Sequence, residues 1–319
     1  MLKTNYKVAT RGSKLALIQT EILTHNLRKL DASVKCNIIK IKSEGDIKKD
    51  KVLFSINEKG IFEKEVDRAV IDGSADFAVH SIKDIPTELD DKLVIAAILR
   101  REKPNDVLIG KSKINLEQLP PNSRVGTSSL RRAVQIIRKN PKVNVIPIRG
   151  NVETRIKKCI NGSFDALILA EAGIRRLDML NLIVQRFDCL DFLPAPGQGA
   201  IGIVCRKDNK KILNTLQIIE DRATRYAIDA ERSLIHHLNA GCRFPVGAIA
   251  LPNLRTNRIV LHVSVFSADG SKSINLKKSD ILANSSLLGR DIANDLLSSG
   301  AADFAHEWRD ALEKWSSQK

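Results

Sequence analysis

Aromatic side chains are scarce: they make up 4% of 319 residues, with two Trp, two Tyr and nine Phe. Surfaces that bind single-stranded nucleic acid stack bases on aromatic rings, so the shortage counts against that class. Neither zinc-finger spacing nor a heptad run is present. Hydrophobic runs are short as well. The longest, Leu93–Leu99, cannot span a bilayer. The opening, MLKTNYKVAT, lacks the apolar segment of a signal peptide. Cysteine is sparse: five, an odd number without CxxC spacing, argue against a disulfide framework or a zinc site. No histidine has the partners of a metal site. His80 sits four residues before Asp84, and His236-His237 ride a helix, so all three read as structural or solvated. The expectation is a cytoplasmic chain with free thiols, no metal, no membrane and no nucleic acid.

Positive charge, by contrast, is plentiful. A net charge of +15 and a pI near 9.7 imply an acidic partner. The stretch Arg124–Lys158 holds ten Lys or Arg against one acid, Glu153. Its grammar shows how some of these charges are displayed. Val125 ends a short strand, Gly126-Thr127-Ser128-Ser129 makes a polar turn, and a helical pattern starts at Leu130. A Ser or Thr before such a pattern is an N-cap signal. The first amides of that helix favour an anion. Arg131 and Arg132 lie in the first turn, where cations oppose the helix dipole. A bound anion would resolve that conflict. The arrangement then repeats: strand Val143–Ile148, turn Arg149-Gly150-Asn151, helix with Arg155. Two such units together favour an anion site over a solvated basic face.

With 43% hydrophobic residues, the length suits two or three domains. Tyr6–Thr10 reads as a strand, and Ser13 as the cap of a helix to about Leu30 with Leu15, Ile18 and Ile22 on one face. Strands are expected at Cys36–Ile41, Asp76–Val79 and Leu93–Leu99, with a helix over Ile61–Ile71. Lys42 to Gly60, polar and charged, reads as a mobile loop or an idle surface loop. A second set of strands follows at Asp106–Ile109, Arg124–Gly126, Val143–Ile148 and Asp165–Ala170, with helices between most of them. Such alternation implies a parallel α/β sheet. Pro194–Gly199 (PAPGQG) breaks it, and Ile201–Cys205 is one more strand. From about Gln217 the texture becomes α+β: a helix over Arg225–Leu238, strands at Ala248–Ala250 and Ile259–Ser267, and helices near Ser286–Ser298 and Ala302–Lys314.

Two further places could carry chemistry. His80–Pro86 (HSIKDIP) follows a buried-looking strand, and ligands bind at the carboxyl ends of parallel strands. There Asp84 could steady a developing cation or relay protons. A local Lys83–Asp84 ion pair closing the turn is the plainer reading, and spacing alone favours it. Cys242, beside Arg243 in a glycine-proline loop, could be a reactive thiol. A lone cysteine is a weak signal for that.

HSIKDIP, GTSSLRR, IRGNVETR, LPAPGQGA and AGCRFP occur in this order along the chain. In these motifs and their separations the chain resembles the hydroxymethylbilane synthase, or porphobilinogen deaminase, family. The similarity runs over essentially the whole chain and is weakest after about Pro252 and over Ser43–Asn57. Ile82, where Met or Leu is usual, and Arg243-Phe244 after the cysteine depart from the commoner pattern without removing a functional group. The resemblance implies two periplasmic-binding-protein-like α/β lobes, residues 1–99 with 200–216 and residues 100–199, plus a smaller α+β domain, residues 217–319. It implies stepwise deaminative condensation of four porphobilinogen molecules into hydroxymethylbilane, in porphyrin and haem biosynthesis. The chain is primed by a dipyrromethane cofactor held through a thioether at Cys242. Asp84 would be the catalytic carboxylate. Arg11, Arg131, Arg132, Arg149 and Arg155, helped by Lys83, would bind ring carboxylates, since Arg grips a carboxylate with two parallel hydrogen bonds. Ser13, Ser81, Thr127, Ser128, Ser129, Gly150 and Gln198 would add hydrogen bonds. Lys59 and Phe62 would flank a flexible loop. A monomer is implied. A non-catalytic anion-binding module on the same bilobal scaffold would explain the arginines without needing Asp84 or Cys242.

Overall fold

The computed structural model of the chain describes residues 4–41, 64–238 and 245–304, and Trp308. In chain order the elements are β1 (Asn5–Arg11), α1 (Lys14–Leu30), β2 (Lys35–Ile41), α2 (Lys64–Ile71), β3 (Phe77–Ser81) and β4 (Leu93–Ile98). Then come β5 (Asp106–Gly110), β6 (Arg124–Gly126), α3 (Leu130–Lys139), β7 (Asn144–Ile146), α4 (Val152–Ile160), β8 (Ala166–Ala170), α5 (Glu171–Arg176) and β9 (Ile183–Arg186). β10 (Ile201–Arg206), α6 (Lys210–Gln217), α7 (Arg222–His237), β11 (Val246–Asn253), β12 (Arg258–Phe266), β13 (Ser273–Ile281) and α8 (Ser285–Ser298) follow. The described residues form two compact units. One takes residues 4–41, 64–102 and 197–225; the other takes the rest.

The first unit is an α/β lobe on a five-stranded sheet of order β2-β1-β3-β10-β4. The second unit holds another such lobe, of order β7-β6-β8-β5-β9, and a smaller α+β domain on the three-stranded sheet β11-β12-β13. The two large sheets share one scheme. Four of the five strands run in one direction, and the remaining one, β10 in one lobe and β5 in the other, runs antiparallel to both its neighbours. The sheets are therefore mixed rather than wholly parallel as the alternation suggested. Each odd strand begins shortly after a passage of the chain between units.

Side-chain parity explains why both faces of the second lobe's sheet are covered. Leu108 and Ile168 join one apolar cluster with Val125, Ile136 and Phe192. Their neighbours Val107, Ile109, Leu167 and Leu169 join another with Ile156, Cys159 and Phe164. Successive strand residues face opposite ways, so a strand covered on both sides is apolar throughout. Burying each such side chain contributes roughly 1.5–3 kcal/mol. In the first lobe, Tyr6, Val8, Phe77, Ile201 and Ile203 make the equivalent cluster with Leu23 and Leu27 of α1.

Some elements depart from the sequence expectation. The buried stripe of α1 is Ala16, Gln19, Thr20, Leu23, Thr24 and Leu27, not Leu15, Ile18 and Ile22. Its threonines are buried at little cost because each hydroxyl donates to a carbonyl one turn back, Thr20 to Ala16 (3.0 Å) and Thr24 to Thr20 (2.9 Å). β9 and β13 were not expected at all. β9 is half-buried and short. β13 is a largely exposed edge strand, SINLKKSDI, with too few apolar residues to stand out. The helix expected over Ile61–Ile71 is seen from Lys64. The Lys42–Gly60 loop and most of the closing helix lie outside the described residues.

The PAPGQG motif has a steric explanation. Gly197 (φ +78°) lies so close to the turn after β3 that a Cβ would meet Ile82 Cγ2 at 2.5 Å and the Lys83 amide nitrogen at 3.0 Å. At Gly199 (φ +91°) a Cβ would sit 2.4 Å from the Glu102 carbonyl oxygen. Both glycines thus combine a left-handed backbone with contacts that admit no side chain. Gly199→Ala should destabilise the protein by at least about 2 kcal/mol, whereas Gly12→Ala, which meets nothing within 4 Å, should stay within about 0.5 kcal/mol. Urea unfolding midpoints of the two variants against the parent check this pair.

Candidate functional site

In the first lobe, β1 and β3 end side by side, and a single 3-10 turn, Ile82–Asp84, follows β3. Ile82 and Ile85 are buried and pin the turn, leaving Lys83 and Asp84 exposed between them. The Ile82 amide donates to the Ala200 carbonyl (3.0 Å), so the glycine motif fixes this turn by hydrogen bond as well as by contact. The side chain of Ser13 caps α1, accepting from the Ala16 amide at 3.3 Å. These elements enclose an open hollow of about 390 Å³ lined by Arg11, Ser13, Gln19, His80, Ser81 and Asp84 among others. Asp84 makes no hydrogen bond or ion pair among the described residues. Its carboxylate is therefore not spent on Lys83, which removes the plainer reading of the turn.

One lining residue, Gln19, was missed by sequence reasoning, and another, His80, was named as structural or solvated. Gln19, 3% exposed, donates from Nε2 to Ser81 Oγ at 2.8 Å. With that lone pair taken, the Ser81 hydroxyl keeps its own proton to offer elsewhere. The signal was a glutamine on the face of α1 that also carries Ala16, Leu23 and Leu27. His80 is buried and its Nε2 lies 2.9 Å from Asp67 Oδ1 on α2. It is a structural histidine, paired rather than solvated.

In the second lobe, α3 and α4 begin beyond the adjacent parallel strands β6 and β7. Ser129 caps α3, accepting from the Arg132 amide at 3.5 Å. Asn151 caps α4, accepting from the Thr154 amide at 2.8 Å. Two helix N-termini thus lie at neighbouring strand ends, where anions are favoured. The hydroxyls of the GTSS turn are largely engaged in holding it. Ser128 donates to the Ile148 carbonyl and accepts from the Ile148 amide (3.1 Å), and Thr127 Oγ1 accepts from the Ser129 amide (3.2 Å). Arg155 Nε holds the Gly150 carbonyl at 2.7 Å. Gly150 itself has φ +113°, and a Cβ there would meet Thr154 at 2.7 Å. Gln198, in the first unit, is buried, with its carbonyl held by Arg101 Nε at 2.8 Å.

The first-turn arginines have an anion already: Asp106, at the start of β5, fully buried. Its Oδ2 accepts from Arg131 Nη2 at 2.7 Å, and its Oδ1 accepts from Arg132 Nη2 at 2.7 Å and Nε at 3.1 Å. Arg131 Nη1 also donates to the Leu193 carbonyl (2.5 Å) and Arg132 Nη1 to the Ile168 carbonyl (3.2 Å). The conflict between these cations and the helix dipole is thus met from within the chain, not only by a ligand. Burial pushes the Arg131 guanidinium below its ordinary pKa, with Asp106 opposing and Arg132 reinforcing the shift. Arg131 Nε is buried without an acceptor among the described residues. A buried donor left unmade costs about 1–3 kcal/mol, and a ligand oxygen would recover it. Asp106 escaped notice because an acid leading an apolar strand, DVLIG, reads as part of a polar boundary.

Cys242, Lys59 and Phe62 lie outside the described residues. Near Cys242 in sequence, Gly247 of β11 lies against Leu193, where a Cβ would come within 2.6 Å of the Leu193 Cβ. Leu193 is the residue whose carbonyl receives Arg131. Among the described residues no group of His, Cys, Asp and Glu could hold a metal ion.

The model of the porphobilinogen deaminase dipyromethane cofactor binding domain matches residues 6–214, and that of the porphobilinogen deaminase C-terminal domain matches residues 225–298. The chain belongs to the porphobilinogen deaminase family. A probable porphobilinogen deaminase of Nitrosopumilus maritimus is 45% identical over 98% of this chain and 99% of its own. Those of Desulforamulus reducens and Brevibacillus brevis are 39% and 41% identical, over 97% and 95% of this chain and 99% and 97% of theirs. Among solved structures, the methionine-binding protein MetQ aligns with a TM-score of 0.43 at 12% identity, over 68% of this chain and 90% of that one.

Gln19→Leu should remove the acceptance at Ser81 and cost about 1 kcal/mol of stability. It should raise the substrate concentration needed for half-maximal rate more than it lowers the maximal rate. Urea unfolding and a substrate titration together measure both.

Proposed function

We propose that the chain joins four porphobilinogen molecules, with loss of ammonia, into the linear tetrapyrrole hydroxymethylbilane. This is a transferase reaction of porphyrin and haem biosynthesis. The observation that carries the assignment of roles is Asp84: a carboxylate without a partner among the described residues, on a pinned turn, opening into a hollow it shares with Arg11, Ser13 and Ser81. There Asp84 accepts from the pyrrole N–H, holds the positive charge left when the aminomethyl group departs as ammonia, and assists proton transfers. Arg11 and Lys83, with the hydroxyls of Ser13 and Ser81, take substrate carboxylates.

In the second lobe the donor set suits a carboxylate-bearing ligand. It comprises two helix N-termini, Arg149, Arg155 and the buried Arg131 Nε, which has no acceptor among the described residues. Arg131, Arg132, Thr127, Ser128, Ser129 and Gly150 would hold the dipyrromethane, which the family's cofactor-binding domain accommodates. Gln198 would add a backbone amide. The cofactor supplies the free pyrrole position that receives the first substrate. Cys242 would hold it by a thioether. The contact of Gly247 with Leu193, beside Arg131, supports an anchor near these arginines. Lys59 and Phe62 would flank the loop over the site.

We assign residues 1–99 and 200–216 to the first domain, 100–199 to the second and 217–319 to the third. The three separate sheets support that division. A cytoplasmic monomer is proposed on cysteine usage and on the family. A purely binding role would leave Asp84, a carboxylate among groups that suit an anion, without a task.

Asp84→Asn should fold like the parent, since the carboxylate makes no bond within the described chain, yet lose turnover by at least about 100-fold. Near-normal turnover would mean that the carboxylate role belongs elsewhere. The intact mass of the purified, active protein should exceed the sequence mass by one dipyrrole unit, localised to the Cys242 peptide. An unmodified mass in active protein would remove the primer from this account.

A further inference from the structure

We infer that Asp106 is a positioning residue of the carboxylate-binding lobe, one that sets both the orientation and the net charge of the Arg131–Arg132 pair. The inference rests on the reading that this pair meets ligand carboxylates. It begins with where Asp106 sits. β5 runs antiparallel beside β8, and residues Asp106 and Ala170 are opposite each other in register. The Asp106 carboxylate therefore stands at the same end of the sheet as the close of β8. There, residues 131 and 132 enter the first turn of α3.

Each of its oxygens takes a different arginine, Oδ2 that of Arg131 and Oδ1 that of Arg132, with the second held by two donors. Two backbone carbonyls, of Leu193 and Ile168, fix the far nitrogens. Gln135 Nε2 shares the Leu193 carbonyl at 3.2 Å. All three charged side chains are nearly or fully buried, so none is free to search for other partners. Two cations and one anion leave a single net positive charge.

Two consequences follow for a ligand. The guanidinium planes are in place before any carboxylate arrives, so binding does not have to order two long side chains. The pair also offers one charge rather than two, which matters for a ligand that must be handled ring by ring. A bare Arg–Arg pair in this setting would hold any small anion. Asp106 occupies that place from within the chain and admits only a ligand that can use what is left, such as Arg131 Nε.

The test uses the parent and two variants, each purified as expressed, and reads the fraction that carries the dipyrrole from the intact mass. Asp106→Asn keeps the shape and removes the charge. Asp106→Glu keeps the charge and moves it outward along a longer arm. For Asp106→Asn, the primed fraction should fall roughly tenfold or more, because the arginines that hold the primer lose the group that orients them. Inorganic phosphate should raise the melting temperature of this variant at concentrations that leave the parent unchanged. Asp106→Glu should show the first effect, because the arginines shift, and not the second, because the charge remains. If Asp106→Asn does not fold, the primed fraction of Asp106→Glu and its unaltered response to phosphate still decide the positioning claim. The proposal is overturned if folded variants are less stable but carry the primer as fully as the parent and gain nothing from phosphate. A parent protein that carries no primer and turns over no porphobilinogen would instead overturn the functional reading on which this one rests.

Discussion

Putting many cations in one small region of a folded chain is costly unless something inside the chain answers them. Here Asp106 does so, between Arg131 and Arg132, at full burial. A buried ion pair is a poor source of net stability, but one that loses a partner is strongly destabilising, by about 3–5 kcal/mol. The arrangement therefore locks geometry more than it adds to folding. β5, β8, α3 and the segment at Leu193 all contribute a group to it. α3 is committed on its other side too. Leu130 and Val134 join the apolar cluster of the C-terminal domain, and Arg138 donates to the Gly270 carbonyl at 2.7 Å while lying over the Phe266 ring. One ten-residue helix thus carries the arginines and seats the domain whose sequence holds Cys242.

The first lobe solves a different problem, that of keeping a carboxylate unspent. Asp84 is exposed on a turn whose flanking isoleucines are buried, and the turn is clamped from behind by Gly197 and Gly202. At Gly202 a Cβ would meet Ile82 Cδ1 at 2.4 Å. Rigid support from apolar contacts lets the acid remain without a partner among the described residues. Nearby His80 is instead satisfied by Asp67, so the two acids of this neighbourhood have separate duties.

Much of this was legible in the sequence, and the exceptions have physical causes. The caps at Ser13 and Ser129, the turn at Asp84 and the strands of both large sheets other than β9 follow from local signals that need no tertiary context. Gln19 and Asp106 do not. Each is a polar residue whose meaning depends on a partner far away in the chain, 62 residues for Gln19 with Ser81 and 25 for Asp106 with Arg131. The stripe of α1 was misread because threonines that bond to their own helix can be buried, which an apolar count ignores. The direction of β5 and β10 is likewise visible only in their pairing with strands far away in the chain.

That shared strand scheme has a consequence for how the molecule is born. In the second lobe all five strands come from one unbroken stretch, residues 106–186, so the ribosome releases everything its sheet requires in a single run. The first lobe is different. β4 has β10 as its sole neighbour in the sheet, and β10 is translated about a hundred residues later. Synthesis therefore delivers the amino-terminal lobe with an open seam that only residues 201–206 can close, and the later-made lobe is able to finish first.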